Sequence, residues 1–178
     1  DIEATQDFII KSAYVNILGM YVSVFKTKHS IKLEDKYAGV TQKDIDTIIK
    51  SVGKIQIPEG QQIIDIVPSK FITDSRVTDD PIGIFTDYLE AELDVVIADK
   101  SVVKNIGMSM QKAGLQIDGI VTNGFAVKDI VLSEEEKSQG VLLLDIGDGS
   151  VDISVFKNNG ILYTDTIPVG GDTITNDI

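Results

Sequence analysis

Hydrophobic positions along this chain change period several times, and each change marks an element. In "TQKDIDTIIKSVG", residues 41–53, Ile45, Ile48, Ile49 and Val52 recur at i, i+3, i+4 and i+7, the stripe of an amphipathic helix. Thr41 followed by Asp44 reads as a capping box, and Gly53 as the stop. In "YLEAELDV", residues 88–95, a period of two takes over. Leu89, Ala91, Leu93 and Val95 share one face, while Tyr88, Glu90, Glu92 and Asp94 share the other. That alternation predicts an antiparallel strand with one wet face. "MYVSVFK" (20–26) predicts a strand and "TKHSIKLEDK" (27–36) its hairpin partner. "QQIIDIVPSKFITD" (61–74) predicts a strand that Pro68 bends or confines to an edge, and "TDDPIG" (78–83) a turn. Between residues 5 and 18, Phe8, Ile9, Ala13 and Ile17 fall at helical spacing, with Gly19 where that helix would stop.

The texture shifts after Asp99. "SVVKNIGMSMQKAG" predicts a helix from a Ser101 cap to Gly114, with Val102, Val103, Ile106 and Met110 turned inward and Met108 and Met110 as core filling. "LQIDGIVTNG" predicts a buried strand, "FAVKDIVL" a short helix, and "SEEEKSQG" a solvated connection ending at Gly140. "VLLLDI" (141–146) does not alternate, which predicts a central strand covered on both faces. "VDISVFK", the turn "NNG" and "ILYTDTIPV" continue as a meander. "GGDTITNDI" then predicts a Gly-Gly turn and a helix capped by Asp172, so short that the chain is expected to stop inside a domain. The whole reads as mixed α/β, with a small strand-helix-strand sheet over residues 20–98.

Composition narrows the chemistry. With 178 residues, 43% of them hydrophobic, the chain can fill a real core. A net charge of -12 argues against nucleic acid or an anionic lipid surface as a direct partner. The absence of cysteine excludes disulfides, thiolate catalysis and cysteine-ligated metals. No stretch of about 18 apolar residues would span a bilayer, and the first ten residues lack the basic and apolar regions of a signal peptide. His29, the single histidine, builds neither a metal site nor a triad and reads as structural or surface.

One stretch carries candidate chemistry: "DIGDGSVD", residues 145–152. Asp145 closes a greasy strand. Gly147 and Gly149 are expected to take φ > 0 and bring backbone N–H groups close to a ligand, and the Ser150 hydroxyl could donate to a phosphate oxygen. A carboxylate beside such a turn suits Mg²⁺ held through water, since magnesium keeps much of its hydration shell. The same residues also serve a plain β-hairpin, where Gly and Asp are needed for the turn alone. The local pattern leaves both readings open.

"LLLDIGDGSVDISVFKNNGILYTDTIPVGGDTITNDI" closely resembles the second phosphate hairpin of the actin and heat-shock-chaperone ATPase superfamily, and most closely the FtsA family of bacterial cell-division proteins. Family members carry D-I-G-G-G-T-x-D, then a turn, a strand, I-P-x-G-G and x-I-T-x-D-I. "VTQKDIDTIIKSV", "IIDIVPSKFITD", "DDPIGIFTDYLEAELDVVIA" and "VVKNIGMSMQKAGLQIDGIVTNGFA" resemble family segments in the same order. The resemblance implies part of an actin-like, ribonuclease-H-like fold with the small subdomain called 1C inserted. Residues 1–19 would end a helix of subdomain 1A, 20–99 would be the 1C-like module, 100–140 the return to 1A, and 141–178 the start of subdomain 2A.

It also implies a function. The family binds ATP with Mg²⁺, with weak or no ATPase activity, and assembles into actin-like filaments through 1C contacts. It tethers FtsZ to the cytoplasmic face of the inner membrane at the division site and recruits later division proteins through 1C. By motif position, Asp145, Gly147, Gly149, Ser150, Gly170 and Gly171 would contact nucleotide, Asp145 and Asp148 would face magnesium through water, and Asp152 would brace the hairpin. Asp148 departs from the family pattern, which has glycine there. Two like charges about 5 Å apart at an effective dielectric near 20 repel by roughly 3 kcal/mol, so an aspartate aimed at bare phosphate would cost about a hundredfold in affinity. Asp148 is therefore expected to face the metal. The first phosphate hairpin, the adenine-contacting part, the FtsZ-binding subdomain and the membrane anchor are all expected outside this chain, and the isolated chain is expected to bind Mg-ATP weakly or not at all. Two other functions share these features: a PilM-like pilus-assembly homologue, and a pure interaction module with a passive hairpin.

Overall fold

The computed structural model describes residues 9–34, 37–74 and 76–177. Its largest unit is an antiparallel sheet in the order β2-β5-β3-β4, formed by Val22–Lys32, Tyr88–Asp99, Gln61–Ile72 and Val77–Thr78. The helix α1, Gln42–Ser51, covers one face. It starts where the sequence says it should: the Thr41 amide donates to the Asp44 carboxylate at 2.9 Å, completing a capping box. Leu89, Ala91, Leu93 and Val95 of β5 are fully buried against Ile45, Ile48 and Val52. Pro68 sits at a register shift between β3 and β5, beyond the short reach of β4. His29 packs structurally, its Nδ1 2.9 Å from the Ser51 hydroxyl.

Two expectations for this sheet need correction. The hairpin partner expected over 27–36 is not formed by residues 27–32: Val22 to Lys32 is one continuous strand, paired over eleven residues with β5, while residues 35 and 36 lie outside the described residues. Asp94, assigned by alternation to the wet face, is completely buried. That face of β5 is not solvent at its C-terminal end, where Val96 and Ala98 pack on Ile17 and Val22.

The second unit is a parallel pair, β1 (Ser12–Asn16) with β6 (Gln116–Val121). Within the described residues, the helix expected over 5–18 is therefore replaced by strand, while residues 5–8 lie outside them. The four apolar positions used for that reading skip Tyr14 and Val15. These β-formers sit beside Gly119 and Ile120 in the ladder, and a Cβ on Gly119 would press on the Tyr14 ring. Between the strands of the chain run α2 (Lys100–Lys112), α3 (Asn123–Val131) and the short α4 (Glu134–Gln139). The α2 cap is Asp99 rather than Ser101: its Oδ1 accepts from both the amide and the hydroxyl of Ser101 at 2.7 Å. Val102, Val103 and Ile106 face the core side as expected, but Met108 is exposed.

The third unit is a meander, β7 (Val141–Ile146), β8 (Val151–Lys157) and β9 (Gly160–Ile167), followed by α5 (Gly171–Asn176). The β8–β9 turn places Asn158 and Asn159 at φ 53° and 62°, the left-handed pair that a two-residue hairpin turn requires. Here β7 is an edge strand, not a central one: Leu142, Leu144 and Ile146 are 56%, 47% and 67% exposed. Its other face meets α3, where a Cβ on Gly124 would collide with Ser154 of β8.

Candidate functional site

The β7–β8 turn, Gly147 to Ser150, is closed by the Gly147 amide donating to the Ser150 carbonyl at 2.9 Å. Its own carbonyls then face the segment after β9. Gly147 O accepts from the Gly171 amide at 3.0 Å, and Asp148 O from the Asp172 amide at 2.9 Å. The two glycine-bearing stretches separated by some twenty residues of sequence thus lie against each other. Gly170 is required by that closeness: a Cβ there would overlap the Asp148 carbonyl and stand 2.6 Å from Gly147 O.

Gly147 and Gly149 reach this turn without positive φ, contrary to the sequence expectation. Gly147 is confined by space instead, since a Cβ would lie 3.2 Å from Ser150 O. Gly149 has neither constraint: nothing comes within 4 Å of the Cβ it lacks. The amides of Asp148, Gly149 and Ser150 donate to no acceptor among the described residues. The Asp145 and Asp148 side chains are exposed and make no hydrogen bond or ion pair with a described residue. Three amides and two carboxylates of this turn and the strand end before it are thus without a partner among the described residues, and the space over Gly149 is open.

Asp152 behaves differently from the other acids. Pairing with Asp145 across the ladder puts it on the face toward α3, where it is buried. It accepts from Asn123 Nδ2 and from the Thr166 hydroxyl, both at 2.5 Å. Thr166 Oγ1 in turn receives the Met20 amide at 3.4 Å. A polar chain from residue 20 through β9 and β8 to α3 thus stands directly behind the turn. Sequence reading singled out Asp152 but missed Asn123 and Thr166; both are ordinary polar residues whose partners only the fold supplies.

Among the described residues, no three Asp, Glu, His or Cys side chains gather as a directly ligated metal would need. Elsewhere, burial pushes the Asp65 carboxyl above the usual carboxylate range, with the Ile66 amide pulling it partly back. Asp65 lines a small void with Ile64, Val96, Thr122 and Phe125 where β3, β6 and α3 meet. The buried Thr122 hydroxyl beside it has no hydrogen-bond partner among the described residues. Near α4, Lys137 bonds Asp129 and Glu134 at 2.8 and 2.6 Å, and its bond to Asp129, together with that of Lys128, holds the Asp129 carboxyl below its ordinary range. "SEEEK" is thus a capped helix with a buried lysine, not a merely solvated turn.

Two family models match. One, described as the SHS2 domain inserted in FTSA, covers residues 19–97, and the other, described as cell division protein FtsA, covers 142–178. Cell division protein FtsA of Neisseria meningitidis serogroup B is 33% identical over 100% of this chain and 43% of that protein. The Bacillus subtilis protein of the same name is 31% identical over 96% of this chain and 39% of its own length. This chain thus spans about two fifths of the length of these curated relatives. Among solved structures, the PilM-PilN type IV pilus biogenesis complex matches 99% of this chain and 48% of its own, with a TM-score of 0.56 and 15% identity. That likeness concerns the fold alone.

Proposed function

We propose, from the premise that this chain belongs to the FtsA family of cell-division proteins, that it supplies one wall of a magnesium-nucleotide site and the interaction module beside it. The observation that carries the reading is the free donor set at Asp148, Gly149 and Ser150, with open space over Gly149. Consecutive unpaired amides in a turn form an anion-binding concavity, and polyphosphate is the anion an actin-like site receives. Asp145, Gly147, Gly149 and Ser150 line the phosphate side, and Gly170 and Gly171 set the distance of the following helix.

Magnesium fits these residues in one way. Two unpartnered carboxylates, Asp145 and Asp148, suit an ion that keeps its waters and is steered by one or two acids. When bound, that ion neutralises phosphate charge. The residues of this chain orient its waters and keep Asp148 from repelling the nucleotide directly.

Residues 20–99 form the inserted module, 1–19 and 100–140 belong to the subdomain it interrupts, and 141–178 open the next one. The protein that contains this chain acts as an ATP-binding, filament-forming adaptor with little hydrolysis, linking FtsZ to the cytoplasmic membrane face and recruiting division proteins through the module. In the alternating strands of residues 20–98 acids are tied up in ion pairs, Lys26 with Asp94 and Lys28 with Glu92, which suits binding rather than catalysis. Asp148→Gly tests the metal role in a protein of the relatives' full length: the magnesium dependence of nucleotide binding is expected to weaken, and an unchanged dependence rejects it. Co-sedimentation with FtsZ separates this reading from a pilus-assembly role.

A further inference from the structure

Asp94 stands out as the completely buried charged residue of the large sheet. It lies on β5, yet its carboxylate reaches into the meander. Oδ2 accepts from the Ile161 amide at 2.9 Å, and Oδ1 receives the Lys26 ammonium of β2 at 2.5 Å. Gly160 packs so close that a Cβ there would overlap Asp94 Oδ2 and stand 2.9 Å from Ser69 Cβ. A buried carboxylate is costly unless it is paired and hydrogen-bonded, and Asp94 is both.

The strand it grips, β9, is fastened at two further points. At its middle, Gly19 lies flush against it: a Cβ there would stand 2.7 Å from Thr164 Oγ1 and 2.8 Å from the Asp165 backbone. At its far end, Thr166 joins the Met20 amide to Asp152. Beyond that end, the chain turns through Gly170 onto the carbonyls of Gly147 and Asp148. The β8–β9 turn is also pinned on its outer side, with the Asn158 and Asn159 amides donating to Ser138 and Lys137 carbonyls at 3.0 and 3.1 Å. From Ile161 to Ile167 a strand spans roughly 20 Å.

We propose that Asp94 is a positioning residue for the turn at 147–150, acting through β9 as a rod that ties this turn to the inserted module. The proposal rests on the reading of that turn as a phosphate site for its functional meaning. In physical terms, the position of β9 along the module, held by the bond from the Ile161 amide to Asp94, sets where Gly170 meets Asp148, and so how open the donor set is. Coupling of this kind is reciprocal: whatever closes on the turn is felt at the Asp94 anchor, and a partner that shifts the module changes the turn.

Amide exchange measured by NMR on this chain tests it. In Asp94→Ala, exchange at Ile161 is expected to accelerate at least tenfold. The Gly171 and Asp172 amides, which close on the turn, are expected to accelerate at least threefold, while central amides of β2 and β5 stay within twofold. Gly160→Ala attacks the same anchor and leaves the Asp94–Lys26 pair in place, so it gives the same pattern even if loss of Asp94 unfolds the chain. Acceleration confined to Ile161, or spread equally over every strand, overturns the proposal. A separate arm adds millimolar Mg-ATP to a protein of the relatives' full length that carries this sequence unaltered. If the variants loosen residues 171 and 172 but Mg-ATP shifts no amide from 147 to 150, the rod stands and the phosphate reading falls.

Discussion

Gly149 and Gly170 are the same residue type serving opposite needs. A methyl at Gly170 meets the Asp148 carbonyl, whereas one at Gly149 meets nothing. Gly170→Ala is expected to cost about 1–3 kcal/mol of stability, as overpacking does, and Gly149→Ala within about 0.5 kcal/mol, both read by chemical denaturation. If Gly149→Ala nevertheless weakens nucleotide binding in a full-length relative carrying this sequence, the space over Gly149 belongs to a ligand. Asp65 gives a prediction in pH. Its carboxyl is raised above the ordinary range when folded, so the folded chain holds that proton more tightly than the unfolded one. Its contribution is therefore present below the unfolded pKa near 4 and lost as pH rises through the folded value. Asp65→Asn should raise the denaturation midpoint at pH 7, with the gain shrinking toward pH 4. An equal gain at both values would contradict that origin.

Elements were legible where one period ran without interruption. The α1 stripe, its capping box and the Leu89–Val95 face of β5 were all readable in the sequence and are all present. Leu93→Ala, which opens a cavity in that fully buried row, should cost about 2–5 kcal/mol in a denaturant titration. Where the partner is distant in sequence, the pattern misled. β1 draws its strand character from a parallel neighbour about a hundred residues on, and four apolar positions at helical spacing could not reveal it. β7 has the composition of a covered strand but stands at an edge with Leu142, Leu144 and Ile146 bare, because the sheet has one neighbour for it among the described residues. Asp94 alternates onto the wet side, and only the fold shows that β9 covers it.

At the scale of the molecule, the expected mixed α/β fold with an inserted strand-helix-strand module is the fold observed. The candidate turn was legible as a motif, but its setting was not. Free amides at 148–150, the Gly170 contact and the Asn123–Asp152–Thr166 chain all arise from segments meeting in space. The module and the turn are therefore mechanically adjacent parts, joined along β9. The decisive measurement is a structure of a full-length protein carrying this sequence with Mg-ATP bound. The account predicts phosphate oxygens within hydrogen-bond distance of the Asp148, Gly149 and Ser150 amides, and the metal's waters against Asp145 and Asp148. A nucleotide whose phosphates lie elsewhere, leaving those amides to bulk water, would contradict it.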